Sequence, residues 1–141
     1  MRRTYLDAGV LIAALRRDPD LVHQIDGLLA DPDRAFVSSV FLRLEVLPKA
    51  VYHKRAEDIA WFEAFFASVV GWVDATPSLI DRAEREAQRH GLNALDALHI
   101  AAAIELRAEE LITTERPTKP IYRATGVAVT PCRTISPRPP A

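Results

Sequence analysis

The amino-acid sequence predicts an α/β fold in which a central parallel sheet is covered by helices on both faces. Three observations carry this. Short, mostly apolar or β-branched runs alternate along the chain with helical stretches, the pattern that builds parallel sheets. The 141 residues, 49% apolar and 26% charged, are enough for one soluble core. Neither an internal repeat nor a linker interrupts the chain before its last ten residues, so the expected division is one domain over 1–130 and a Pro-rich basic tail over 131–141.

The segment "RTYLD" reads as a strand feeding the helix "AGVLIAALRR". In "DPDLVHQIDGLLAD", Asp18 is placed to cap a second helix with Pro19 at its first position. A second strand, "RAFVSS", leads into the apolar helix "VFLRLEVLPKAVYHK", which Pro48 should kink or shorten. The aromatic-rich helix "AEDIAWFEAFFASVV" and a brief strand at "GWVDA" follow. "PSLIDRAEREAQRHG" has Ser78 three residues before Asp81 as a capping-box-like start and Gly91 as a stop. "GLNALDALHIAAAIEL" is a buried helix, and "ELITT" and "GVAV" supply the last strands.

Cys132 is the single cysteine, which removes a disulfide framework and a Cys-based zinc site and suits a reducing compartment such as the cytoplasm. The N-terminal apolar run is broken by Asp7 and closed by Arg16 and Arg17, so it is neither a targeting peptide nor the ~20 apolar residues of a membrane span. Net charge is −1, unevenly spread: residues 116–141 hold five basic and no acidic residues, while residues 1–115 hold thirteen basic against nineteen acidic, or −6. The basic end is either a solvated tail or a contact for a polyanion.

Four acids call for explanation. Asp7 and Glu115 each follow an apolar run, at the carboxyl ends of strands where open parallel sheets bind ligands. Glu45 shares a helix side with Phe41, Leu42 and Tyr52, and is either a solvated helix acid or a group emerging from an apolar surface. Asp96, three residues after Asn93, is either part of a cap or a site residue. On a helical wheel Asp96, His99, Ala103 and Arg107 share one side, while Leu95, Leu98, Ala102 and Leu106 share another, which suggests a wet or charged face and a core face. His99 by itself is more often a packed histidine than a ligand. Were Asp7, Glu45 and Asp96 to converge, each pair of charges at 4 Å would repel by ~4 kcal/mol at an effective dielectric of 20. Such a cluster takes up protons, separates or holds a cation, and oxygen donors select Mg²⁺ or Mn²⁺ over zinc.

"YLDAGVLIAAL", "SSVFLRLEV", "LDALHIAAAIEL" and "ELITTERP", in this order and spacing over Thr4 to Val129, resemble the PIN-domain ribonucleases, in particular the VapC-like toxins of bacterial toxin–antitoxin pairs. The resemblance implies a PIN-like (Rossmann-like) three-layer α/β/α sandwich and a metal-dependent RNA endonuclease, with water activated by Mg²⁺ or Mn²⁺. Asp7, Glu45 and Asp96 match the core acids that hold the metal. Glu115 stands where the family usually has an aspartate, with Thr113 and Thr114 as supporting groups. Arg116, Lys119 and Arg123 are placed to hold RNA phosphates. A small antitoxin inserting a basic side chain toward the acids, and a homodimer, are the partners the resemblance implies, with the aromatic helix bordering the antitoxin groove.

Rival readings differ at single residues. A haloacid-dehalogenase-type phosphatase needs a second Asp two residues after the first, where Gly9 stands; a receiver-like phospho-acceptor domain needs a lysine after a late strand, for which Lys119 is only a loose match. A catalytically weak or inactive PIN-like RNA- or protein-interaction module remains the main alternative.

Overall fold

The computed structural model describes residues 1–137. Strands β1 (Arg2–Leu6), β2 (Arg34–Ser39), β3 (Gly71–Val73), β4 (Glu110–Thr113) and β5 (Ala128–Pro131) form one sheet in the order β3-β2-β1-β4-β5, with every pair parallel. Helices α1 (Ala8–Arg16), α2 (Val22–Ala30), α3 (Val40–Tyr52), α4 (Ala56–Ser68), α5 (Pro77–His90) and α6 (Ala94–Glu105) make the connections. The period-2 alternation of the strands divides the core. Leu6 and Ile112 pack with Leu11, Ile25, Leu42 and Phe62 of α1 to α4. Tyr5 and Leu111, one residue out of step, pack with Leu79 and Ile100 of α5 and α6. The result is the predicted three-layer α/β/α sandwich.

Where elements depart from expectation, local hydrogen bonding accounts for it. Asp18 does not cap α2: its side chain accepts from the Asp20 amide at 2.9 Å, closing a turn, and α2 begins at Val22. Thr76, not Ser78, caps α5, with its hydroxyl accepting from the Leu79 amide at 3.2 Å and Pro77 in the first turn. Helix α3 runs through Pro48 to Tyr52. Pro48 and Leu44 are both exposed, so the Leu44 carbonyl that loses a donor faces water. Gly91 ends α5 in the left-handed conformation (φ 66°), as expected. The supposed wet face of α6 is wet only toward its ends: Asp96 is half-buried and Arg107 exposed, but His99 and Ala103 between them are buried, whereas Leu95, assigned to the core face, is 42% exposed. At the boundary drawn at residue 130, β5 runs on to Pro131, and Cys132 and Ile135 are buried in the core; the end of the expected tail, residues 138–141, lies outside the described residues.

The amino edge of the sheet contains a buried acid that is fully matched. Glu110, 7% exposed, accepts from the Thr4 hydroxyl at 2.6 Å and from Arg34 Nε at 2.8 Å, with Arg2 at 3.6 Å. Removing one partner of a buried ion pair strands the other, at a cost of about 3–5 kcal/mol. Arg34→Ala should therefore lower the unfolding free energy by about 3 kcal/mol, measured by urea titration, and a loss near zero would show that Arg2 and Thr4 suffice.

Candidate active site

The chain leaves β1 toward β2 on one side, while β4 leads to β5 on the other, so the β1/β4 boundary is a topological switch point. Ligands bind at such points, beyond the carboxyl ends of the strands. The register decides which residues meet there. Leu6 pairs with Ile112 and Tyr5 with Val37, so Asp7, Thr113 and Ser39 come level at the carboxyl edge.

Asp7 caps α1, with Oδ1 accepting from the Val10 amide at 3.0 Å and Oδ2 accepting from the Thr113 hydroxyl. Burial pushes its carboxyl above the usual range; the Thr113 and Val10 hydrogen bonds and the nearby His99 oppose this, and Glu115 adds to it. Thr113 is fully buried, and its oxygen also accepts from the Glu115 amide at 3.0 Å, so one hydroxyl ties Asp7 to the start of the loop after β4. Thr114 lies over the first turn of α1. A Cβ on Gly9 would sit 2.1 Å from its hydroxyl oxygen, which explains the glycine.

Asp96 is the third residue of α6, whose cap Asn93 accepts from the Asp96 amide at 2.8 Å. Asn93 does the capping, and the Asp96 carboxyl, which the cap does not use, lies where Glu115 and Glu45 act on it. Its pKa is raised by burial first, then by Glu115 and, less, by Glu45, with His99 acting the other way. Glu45, mid-way along α3, is bonded to His99 Nε2. Behind it the Tyr5 hydroxyl lies 2.7 Å from His99 Nδ1 and 2.6 Å from Ser39 Oγ. Burial drives the Tyr5 hydroxyl well above the usual phenol range, so it stays protonated.

The structure thus brings Glu115 within electrostatic reach of both Asp7 and Asp96, and Glu45 within reach of Asp96. Among the described residues no lysine or arginine forms an ion pair with any of them. Basic groups stand on the flanks. A cavity of about 370 Å³ is lined by Asp18, Thr113, Thr114, Glu115 and Arg133, and another of about 240 Å³ runs from Glu45 past Arg16, Lys49, His53 and Arg55. Arg116 and Lys119 are exposed, whereas Arg123 Nη1 donates to the His90 carbonyl at 3.4 Å, at the carboxyl end of α5. Sequence reasoning missed Tyr5 and Ser39 and undervalued His99. Their signal was slight: a phenol two residues before Asp7 and an imidazole one helical turn after Asp96.

Among the described residues no three His, Cys, Asp or Glu side chains form a closed metal-ligand set. The donor chemistry still fits a hard divalent cation. Every candidate donor on Asp7, Glu45, Asp96 and Glu115 is a carboxyl oxygen, and burial followed by the neighbouring Glu115 and Glu45 disfavours an uncompensated charge on Asp96.

A carboxyl whose pKa is raised by folding binds protons more readily in the native than in the unfolded state. Stability then falls as pH rises from the ordinary value of 3.8 through the raised one. Asp96→Asn should melt higher than wild type at neutral pH in chelator, with the gap closing as pH falls toward 4. An unchanged or lower melting point at neutral pH would mean that Asp96 is not repelled.

The PIN domain family model matches residues 4–117. No curated protein sequence matches the chain. Among solved structures, a chain of DNA-bound VapBC from Salmonella typhimurium superposes with TM-score 0.70 at 17% identity, covering 94% of this chain and 99% of that one. A chain of VapBC2 from Rickettsia felis, bound to a promoter fragment, gives 0.69 at 16% identity over 92% and 98%. A toxin–antitoxin complex from Klebsiella pneumoniae gives 0.66 at 21% identity over 89% and 95%. At such identities the superpositions establish a common fold, and with the family match across both strand-end acids, Asp7 and Glu115, they lead to one conclusion: the chain belongs to the PIN domain family.

Proposed function

We propose that this chain is a metal-dependent RNA endonuclease, the toxin of a toxin–antitoxin pair, acting in the cytoplasm. The observation that carries the reading is that Asp7 and Glu115 follow adjacent parallel strands at the switch point, with Glu115 acting on Asp7 and Asp96 and Glu45 on Asp96, and with no lysine or arginine paired to any of the four among the described residues. Asp7, Asp96 and Glu45 would hold Mg²⁺ or Mn²⁺, with Glu115 beside them. When bound there, such an ion supplies a Lewis acid that lowers the pKa of a water and offsets charge on phosphoryl oxygens. Thr113 fixes the Asp7 carboxylate, and His99 fixes that of Glu45. Thr114, at the mouth of the cleft, is placed to bond a water or a phosphate oxygen. Arg116 and Lys119 hold the RNA backbone beside Glu115, with Arg133 joining them from beyond β5; Arg123 contributes from the end of α5.

The partner reading has its own support. The solved relatives are toxin–antitoxin complexes. In this chain Leu44, Val51 and Tyr52 leave α3 with a strongly exposed apolar face, 64%, 57% and 79% exposed, beside a groove bordered by Ile59 of the aromatic helix α4. A small antitoxin that brings a basic side chain to the acids, and a second copy of the chain, are the proposed occupants of these surfaces.

Cleavage of labelled RNA with Mg²⁺ should vanish in chelator and fall at least about 100-fold in Asp96→Asn, since single charge-stabilising groups are worth roughly 10²–10³ in rate. Chelator-resistant cleavage, or an active variant, would refute the reading. RNA affinity should decline with salt, and Lys119→Ala should flatten the slope of log K against log salt by about 0.7, the value for one phosphate contact on a single strand. A slope identical to wild type would remove Lys119 from the interface.

A further inference from the structure

We propose that Tyr5 and His99 form a hydrogen-bonded clamp that fixes the orientation of the Glu45 carboxylate. They are positioning residues, and their assigned purpose rests on the metal-dependent reading above.

The protons can be placed by elimination. The Glu45 carboxylate only accepts, so His99 Nε2 must donate to it. Ser39, fully buried, caps α3: its oxygen accepts from the Leu42 amide at 3.4 Å, and its own proton needs an acceptor. Among the described residues the remaining partner of Ser39 is Tyr5, also fully buried, so Ser39 donates to Tyr5. Tyr5 must then donate to His99 Nδ1, which leaves that nitrogen unprotonated. The chain of protons runs from Leu42 N through Ser39, Tyr5 and His99 to Glu45, each hydroxyl giving once and receiving once. In the reverse arrangement, with an imidazolium at His99, the Ser39 proton would be buried without an acceptor.

The clamp bears on the site because Glu45 lies mid-way along α3, and the His99 donor, itself held by Tyr5, limits the torsions its carboxylate can adopt. The clamp also links the acids mechanically. Strand β1 carries Tyr5 and leads directly into Asp7, α6 carries His99 and Asp96, and α3 carries Glu45 with Ser39 as its cap, so one hydrogen-bonded chain joins the segments that present the three acids.

Two measurements on the full chain test it. In the ¹⁵N imidazole spectrum, recorded at neutral pH without divalent ions, His99 should carry its proton on Nε2, with Nδ1 showing the shift of a hydrogen-bonded acceptor that Tyr5→Phe abolishes. An Nδ1–H tautomer in wild type would overturn the clamp. In calorimetric titration with Mn²⁺, His99→Leu should bind at least about 10-fold more weakly, as loss of a partner behind a ligand does. His99→Gln, whose amide can still donate to Glu45, should recover most of the affinity; thermal melts of both variants and of Tyr5→Phe establish that they fold. Wild-type affinity in a folded His99→Leu would overturn the positioning role. If wild type binds no Mn²⁺, the metal-dependent reading fails by itself, and the tautomer alone decides whether the clamp exists.

Discussion

Repulsion among carboxylates gathered at one edge of a sheet is the constraint around which this molecule is built. Two unit charges at 4 Å cost ~4 kcal/mol at an effective dielectric of 20, and a domain is stable by only about 5–15 kcal/mol in all. The two ends of the sheet answer this constraint in opposite ways. At the amino edge, Glu110 is held by Arg34, Arg2 and Thr4, and its charge is matched. At the carboxyl edge, Asp7, Asp96 and Glu115 have no ion-pair partner among the described residues, and Glu45 has only an imidazole. A fold selected for stability alone would match both ends, so the unmatched one is where binding free energy can be gained from a cation.

The backbone lowers the cost of carrying these charges. Asp7 caps α1 and Asp96 lies in the first turn of α6, both at the positive end of a helix dipole, where an anion gains roughly 0.3–1 kcal/mol. Glu45 has no such help in the middle of α3, and there the His99 donor substitutes for it. Glu115, exposed on the loop after β4, keeps its solvation instead. Each acid therefore has a different local support, which is why no single sequence motif identifies all four.

What could be read in the sequence follows the same division. Strands and their parallel pairing were legible because buried parallel strands are apolar on both faces, as in "YL" and "LI", and the acids at Asp7 and Glu115 stood out as the first charges after such runs. Helix starts were less so: Asp18 and Ser78 are acceptable caps locally, but Asp18 is used in a turn and Thr76 takes the cap of α5, choices made by competing hydrogen bonds a few residues away. His99 was misjudged because a helical wheel assumes one wet side. Helix α6 is instead packed against both the sheet and α5, so a polar residue on it must find a partner inside, and Tyr5 lies 94 residues earlier in the chain. Long-range pairs of this kind leave no periodicity to detect.

The glutamate at 115 illustrates how far such contacts can adjust for a departure in sequence. Its extra methylene would move a carboxylate outward from a backbone shared with an aspartate. Here the Glu115 amide is bonded to Thr113, and Thr113 in turn to Asp7, so the origin of the longer side chain is fixed relative to the neighbouring acid. With that origin fixed, the added length is taken up by side-chain torsions, whose staggered alternatives differ little in energy on an exposed residue. Glu115 acts on both Asp7 and Asp96 in this arrangement, opposing the charged form of each. The longer side chain therefore still leaves a carboxyl group near those two acids while it remains exposed to water.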